Sequence, residues 1–243
     1  MKFTTSWDDG RKDDLRIAEL LEKYGATGTF YISPPDTHEK PALSDSDIKM
    51  LSEKHEVGAH TITHPRLTRV SLEQARTEIE ESKKWIESVT GKPCTMFCYP
   101  AGDENPEVRS LVRSAGFRGA RGVEQLEFAT KDEFCLPTTL QVYPFPLRRK
   151  YTNRWHLLDP VARLRMFYPQ MRSFRLPLRA SLSWLNLAKE LFSYADKSNQ
   201  PYFHLWGHSW EIEKYGMWGH LEKFLKYVSD QENVVYSTNT DLL

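Results

Sequence analysis

At 243 residues the chain suits an α/β domain large enough to bury a substantial core. Hydrophobic residues make up 40% and charged residues 27%, and 33 cations balance 33 acids, so nothing global points to nucleic acid or to an acidic partner. No apolar run approaches the ~20 residues that span a bilayer, and the opening residues lack the apolar centre of a signal peptide. Cys94, Cys98 and Cys135 form no CxxC pair. They read as free thiols in a reducing compartment, so a cytoplasmic location is expected.

Strand and helix signals alternate from the start. Lys2 to Ser6 reads as a strand, and Leu15, Ala18, Leu20 and Leu21 then give a helical apolar face that stops at Tyr24-Gly25. Thr27 to Ile32 is β-branched and aromatic, Ser46 to Lys54 a short helix, and His55 to His60 a strand. Ser71 and Gln74 predict a capping box for a long helix running to Gly91. Thr95 to Tyr99 is a strand ended by Pro100, and Pro106 to Ala115 a helix closed by Gly116. After a proline-rich, arginine-rich region from Cys135 to about Arg179, a helix over Ser181 to Ala195 and a strand over Tyr202 to Gly207 follow. A helix around Leu221 to Val228 and a strand at Val234-Val235-Tyr236 end the series. A βαβα order with short connections predicts a mainly parallel sheet or barrel over 1–243, with 135–179 as an insertion on it.

Two stretches carry chemistry. In Ser6-Trp7-Asp8-Asp9-Gly10, two adjacent carboxylates stand at a strand's C-terminal end, where catalytic groups of α/β folds gather. Neighbours on a strand face opposite ways, so both acids reach one site only through an irregular turn, which Gly10 permits. A helix N-cap with a solvated neighbour is the plain alternative. The second stretch, His60-Thr61-Ile62-Thr63-His64, spaces two imidazoles so that both can face one point. With a carboxylate from the first, they make a two-histidine, one-carboxylate set able to hold a metal whose open positions take a nucleophilic water.

These residues carry a resemblance. Ser6-Trp7-Asp8-Asp9-Gly10 resembles the T-F-D-D-G motif of the polysaccharide deacetylase (NodB-homology) family, and His60-Thr61-Ile62-Thr63-His64 matches its H-[ST]-x-x-H. The resemblance covers most of the chain, with Cys135 to Arg179 outside it. It implies a distorted (β/α) barrel and a metal-dependent hydrolase that removes the acetyl group of an N-acetylated sugar. It also implies a divalent metal, zinc first, with Co2+, Ni2+ or Fe2+ able to replace it. Carried over by position, Asp9, His60 and His64 would bind the metal and Asp8 would be the general base. The family's R-P-P-Y-G aligns with Cys98-Tyr99-Pro100-Ala101-Gly102, making Tyr99, Pro100 and Ala101 substrate-binding and oxyanion candidates. Cys98 stands where the family has the arginine that braces its base. The L-x-H motif falls on Trp206-Gly207-His208, with Trp206 lining the acetyl pocket and His208 as general acid. The D-x-x-D-W motif is not visible, and Glu211, or less directly Asp241, is the candidate to orient His208. His204 reads as structural, and His38, His55, His156 and His220 as ordinary polar residues. A deformylase or cyclic amidase of the same fold, or a spent enzyme that only binds carbohydrate, are the alternatives.

The basic region has two readings. Arg148, Arg149, Lys150, Arg154, Arg163, Arg165, Arg172, Arg175 and Arg179 interleave with Tyr151, Trp155, Phe167, Tyr168 and Phe174. Such a stretch is either a solvated flank or a lid that stacks on sugar and grips a phosphate- or lipid-linked substrate.

Overall fold

Eight strands, β1 (Lys2–Asp8), β2 (Thr29–Ile32), β3 (Glu56–Ala59), β4 (Met96–Cys98), β5 (Gly119–Arg121), β6 (Leu140–Gln141), β7 (Tyr202–Gly207) and β8 (Val235–Ser237), form one curled sheet. The computed structural model describes residues 1–35, 37, 41–146 and 159–243, with side chains omitted over 159–163. The strand order is β5-β4-β3-β2-β1-β7-β6, and every pairing is parallel. β8 pairs with the first half of β1 (Lys2–Thr4), and β2 with its second half (Ser6–Asp8). Beyond β5, the chain stays hydrogen-bonded to it through Leu136, whose N–H reaches the Ala120 carbonyl at 2.8 Å. The sheet is thereby curled into a half-barrel whose strands all end at one rim.

Helices α1 (Asp14–Lys23), α2 (Asp45–Leu51), α3 (Leu72–Thr90), α4 (Pro106–Ser114), α5 (Asp159–Ser173), α6 (Trp184–Lys197), α7 (Ser209–Tyr215) and α8 (Trp218–Ser229) complete the alternation. The outer faces of the strands, carrying Phe3, Trp7, Phe30, Phe97 and Phe203, are buried with apolar residues of these helices such as Ile17, Ile79, Leu191 and Phe224. The expected capping box at Ser71 is only half made, with Ser71 Oγ accepting from Gln74 N–H, whereas Ser44 and Asp47 at α2 make the reciprocal pair.

The period of two sends alternate residues into the barrel. On β1 the inward set is Thr4, Ser6 and Asp8, and on β7 it includes His204 and Trp206. Below the rim this interior holds a hydrogen-bonded cluster around His204 beside an apolar one of Tyr31, Met96, Cys98 and Leu136. His204 lies 2.9 Å from Ser6 Oγ, 3.2 Å from the Pro137 carbonyl and 3.2 Å from Asn239 Nδ2, and the Tyr31 hydroxyl donates to Asn239 Oδ1 at 2.9 Å. Burial drives the His204 pKa down to about 3, so it stays neutral and structural.

Part of the stretch expected as an insertion, 135–179, joins the sheet and the core. Leu140–Gln141 pairs with β7, and Val142, Tyr143 and Phe145 are buried. Prolines obscured a strand of two residues. Phe167 packs on Phe145, and Phe174 on Phe128 and Tyr194, so these rings serve the core. Arg165, Tyr168, Arg172, Arg175 and Arg179 are exposed. Arg148, Arg149, Lys150, Tyr151, Arg154, Trp155, the Arg163 side chain, His38 and His156 lie outside the described residues. His55 is buried edge-on to Phe30, 5.3 Å between centroids.

Candidate active site

Because every strand is parallel, the C-terminal ends of β1, β3, β4, β5, β6 and β7 all reach the same rim. A cavity of about 450 Å³ opens there, walled by Asp8, Asp9, His60, His64, Tyr99, Ala101, Gly102, Val123, Gln125, Gln141, Trp206, His208 and Trp210. Three of these turns hold non-glycine residues in the left-handed region, four in all: Asp9 (φ 84°); Thr61 (φ 65°) and His64 (φ 56°), both in the turn after β3; and Ala101 (φ 56°). Each such residue costs about 1–3 kcal/mol, and strain of this kind concentrates at functional sites.

The two aspartates show what that strain achieves. Asp8, the last residue of β1, points inward by register. Asp9 would face the helices on a regular strand, but its positive φ, followed by Gly10 at φ 66°, returns its carboxylate to the cavity. A Cβ on Gly10 would also sit 2.6 Å from Ile32 Cγ2.

Beyond β3, His60 Nδ1 lies 2.8 Å from the Cys98 carbonyl. A carbonyl only accepts, so Nδ1 carries the proton and Nε2 turns a lone pair to the cavity. Burial pulls the His60 pKa down to about 4, which keeps it neutral. His64 Nε2 is 3.1 Å from His60 Nε2, and Asp9 Oδ1 is 3.8 and 3.6 Å from the two nitrogens. Ligand bonds of ~2.0–2.1 Å in a tetrahedral zinc site imply ligand-to-ligand edges of about 3.3 Å. The donor set therefore fits a small divalent ion. Glu78 of α3 holds the intervening loop, its Oε2 accepting the N–H groups of Ile62 and Thr63, both at 2.8 Å. A buried helical glutamate thus supports the histidine turn, and nothing in the local sequence marked it.

Asp8 sits between two cations. Arg121, fully buried at the end of β5, donates to both Asp8 oxygens. His208 Nε2 is 3.9 Å from Asp8 Oδ2. Burial alone would raise the Asp8 pKa, but Arg121, with His60 and His208, outweighs it and holds the carboxyl below its usual range. His208 Nδ1 is 2.8 Å from Glu211 Oε2, which also accepts from Gln141 Nε2 at 3.2 Å. Burial opposes a charge on His208, yet Glu211, Asp8 and Asp9 prevail and lift its pKa to about 9. At neutral pH an ionised carboxylate and a protonated imidazole thus stand side by side at the rim.

Residues 3–120 match the sequence model described as polysaccharide deacetylase. Over that stretch the chain is of the polysaccharide deacetylase family. The peptidoglycan-N-acetylmuramic acid deacetylase PdaC of Bacillus subtilis is 33% identical over 110 residues, covering 44% of this chain and 23% of that protein. A peptidoglycan-N-acetylglucosamine deacetylase of Bacillus cereus is 29% identical over 115 residues, covering 46% of this chain and 52% of that protein. The alignments with the first curated relatives span less than half of their length. Among solved structures, a family 4 acetyl xylan esterase from Clostridium thermocellum, in complex with a cobalt ion, superposes with a TM-score of 0.61 at 13% identity. That match covers 100% of this chain and 90% of that one, and at such identity it is a likeness of fold.

The structure adds to the expectations for the other site residues. Cys98 does stand at the motif's arginine position, and Arg121, its partner in the β4–β5 register, reaches Asp8 from the next strand. Cys98 Sγ lies 3.9 Å from Asp8 Oδ2 with its pKa raised by burial, so it remains a thiol. Tyr99 lines the cavity, and its hydroxyl donates to the Phe134 carbonyl at 2.8 Å. Pro100 shapes the turn without reaching the cavity wall, whereas Ala101 does reach it. Trp206 forms a buried wall, with the Arg121 guanidinium 4.7 Å from its ring centre. Asp241 is far from His208 in role, its carboxylate capping Thr238 N–H at 2.7 Å. Sequence reasoning missed Arg121, Gln141 and Trp210.

Proposed function

We propose that this chain is a metal-dependent hydrolase that removes the acetyl group from an N-acetylated sugar. The observation that carries the reading is a three-ligand face beside a carboxylate braced by Arg121, with His208 3.9 Å from that carboxylate. A divalent ion held by Asp9, His60 and His64 would polarise the amide carbonyl and acidify a water. Asp8 accepts the proton as the water oxygen bonds to the acyl carbon. The backbone N–H of Ala101 would donate to the oxyanion, and the Trp206 wall would pack the acetyl methyl, both residues lining the cavity. As the carbon–nitrogen bond breaks, His208 hands its proton to the departing amine, leaving acetate and the free amino sugar.

Peptidoglycan-type N-acetyl glycans are the substrate class suggested by the relatives' names. For a carrier phosphate, the exposed cations of the stretch from Pro160 to Lys189, which has no acid, are Arg165, Arg172 and Arg175, while Arg179 is paired with Glu190 at 2.7 Å. The test is acetate release from N-acetylated oligosaccharides, peptidoglycan fragments and nucleotide sugars with Zn2+ or Co2+ added. Absence of release from all of them, together with undiminished glycan binding by His60→Ala, would identify a spent enzyme that only binds carbohydrate.

A further inference from the structure

Trp210, in the first turn of α7, donates its indole N–H to Asp9 Oδ2 at 2.9 Å. The other oxygen, Oδ1, faces the two histidine nitrogens. The same indole lies 5.6 Å from the His208 ring, inclined by 45°, and Lys214 Nζ is 5.8 Å from its centre. We infer that Trp210 is a positioning residue that confines Asp9 to single-oxygen ligation and sets the distance between the ligand face and His208.

The inference rests on the metal reading above and extends it to a residue outside the ligand set. An indole N–H is a donor with no lone pair, so it cannot compete for the ion. A carboxylate with both oxygens free can close on an ion bidentately and use up a coordination position. With Oδ2 engaged by the indole, Asp9 supplies one oxygen and leaves that position to substrate and water. The indole turns on only two side-chain torsions, so one rigid group spans from the ligand to the acid. Asp9 is held by its left-handed backbone and by this bond, which fixes its rotamer as well as its position.

The experiment compares wild type with Trp210→Phe, which keeps an aromatic wall and removes the donor. Zn2+ affinity is read by chelator competition, and Co2+ coordination by visible absorption. Trp210→Phe should bind Zn2+ about 10–100-fold more weakly, the usual effect of losing an outer partner of a ligand. Its Co2+ bands should weaken as the coordination number rises. Because the variant could fold poorly, the indole N–H signals of 15N-labelled wild type provide a second measurement. The Trp210 signal should shift with saturation at one equivalent of Zn2+. Unchanged affinity and an unchanged Co2+ spectrum in Trp210→Phe, or an indole signal indifferent to Zn2+, overturns the inference alone. Weaker binding with an unchanged Co2+ spectrum also overturns it, because Trp210 would then serve only packing. A wild type that binds no divalent ion overturns the metal reading and this inference with it.

Discussion

Arg121→Met isolates the contact on which the proposed base depends. Asp8 is 3% exposed and Arg121 0%, so removing the guanidinium leaves a carboxylate in a buried pocket with no strong hydrogen-bond donor. Breaking a buried pair from one side costs about 3–5 kcal/mol. At ~2–4 °C per kcal/mol for a chain of this size, the melting temperature should fall by roughly 6–20 °C at pH 7. The sign with pH follows from the two opposing influences on Asp8. In the wild type Arg121 overcomes burial and lowers the pKa, so the stabilisation is present above the unfolded value and fades as pH falls. Without Arg121, burial dominates and the pKa rises above its unfolded value. The deficit is then largest at neutral pH and shrinks as acid protonates Asp8. The acid limb of kcat/KM should move upward by at least about one pH unit, because a protonated Asp8 cannot act as base. Paired thermal melts at pH 4 and pH 7, with a pH–rate profile, measure both effects. An Arg121→Met enzyme with the wild-type acid limb and a melting temperature within about 2 °C would refute the bracing argument. Adding Cys98→Arg to that variant should restore part of the activity, since the two positions are register partners.

Other parts of the site give independent tests. Glu211→Gln removes the partner that does most to raise the His208 pKa to about 9, so the alkaline limb should move down by roughly 1–2 units; an unmoved limb would assign Glu211 to the surface. His64→Ala should abolish stoichiometric Zn2+ binding and the rise in melting temperature that Zn2+ gives the wild type, about 2.7 kcal/mol of stabilisation at a hundredfold excess over Kd. Gly102→Ala places a Cβ 2.3 Å from Val123 Cγ2 at φ +65°, and should cost about 1–3 kcal/mol while lowering activity through displacement of Ala101. A stability within experimental error of wild type would show that this turn yields readily.

Some of the site could be read locally. Asp8-Asp9-Gly10 and His60 to His64 are contiguous motifs, and both their spacing and their place at strand ends are visible in the chain itself. His208 and Trp206 were found from a short motif and an aromatic strand, and Glu211 from its separation of one helical turn from His208. Arg121 was not legible, because Gly119–Arg121 is a strand of three residues with no periodicity and its arginine is one cation among many. Gln141 was hidden for the same reason inside a proline-rich stretch read as an insertion. Trp210 carried no local signal, since its partner Asp9 lies 201 residues earlier.

The alternation of most strands and helices, the expected parallel sheet and the two metal-directed motifs follow from local periodicity, turn residues and spacing, so the chain alone specifies the fold class and the candidate ligands. Which groups surround those ligands is a matter of register. The sheet aligns Cys98 with Arg121 and Ser6 with Trp206, and the alternation of faces then turns Asp8, Arg121 and Trp206 into one lumen. A one-residue slip would have sent each of them outward to the helices. How Asp8 is held, which acid orients His208 and what fixes Asp9 were therefore decided only by the tertiary structure, because each depends on distances across the barrel that no local pattern encodes.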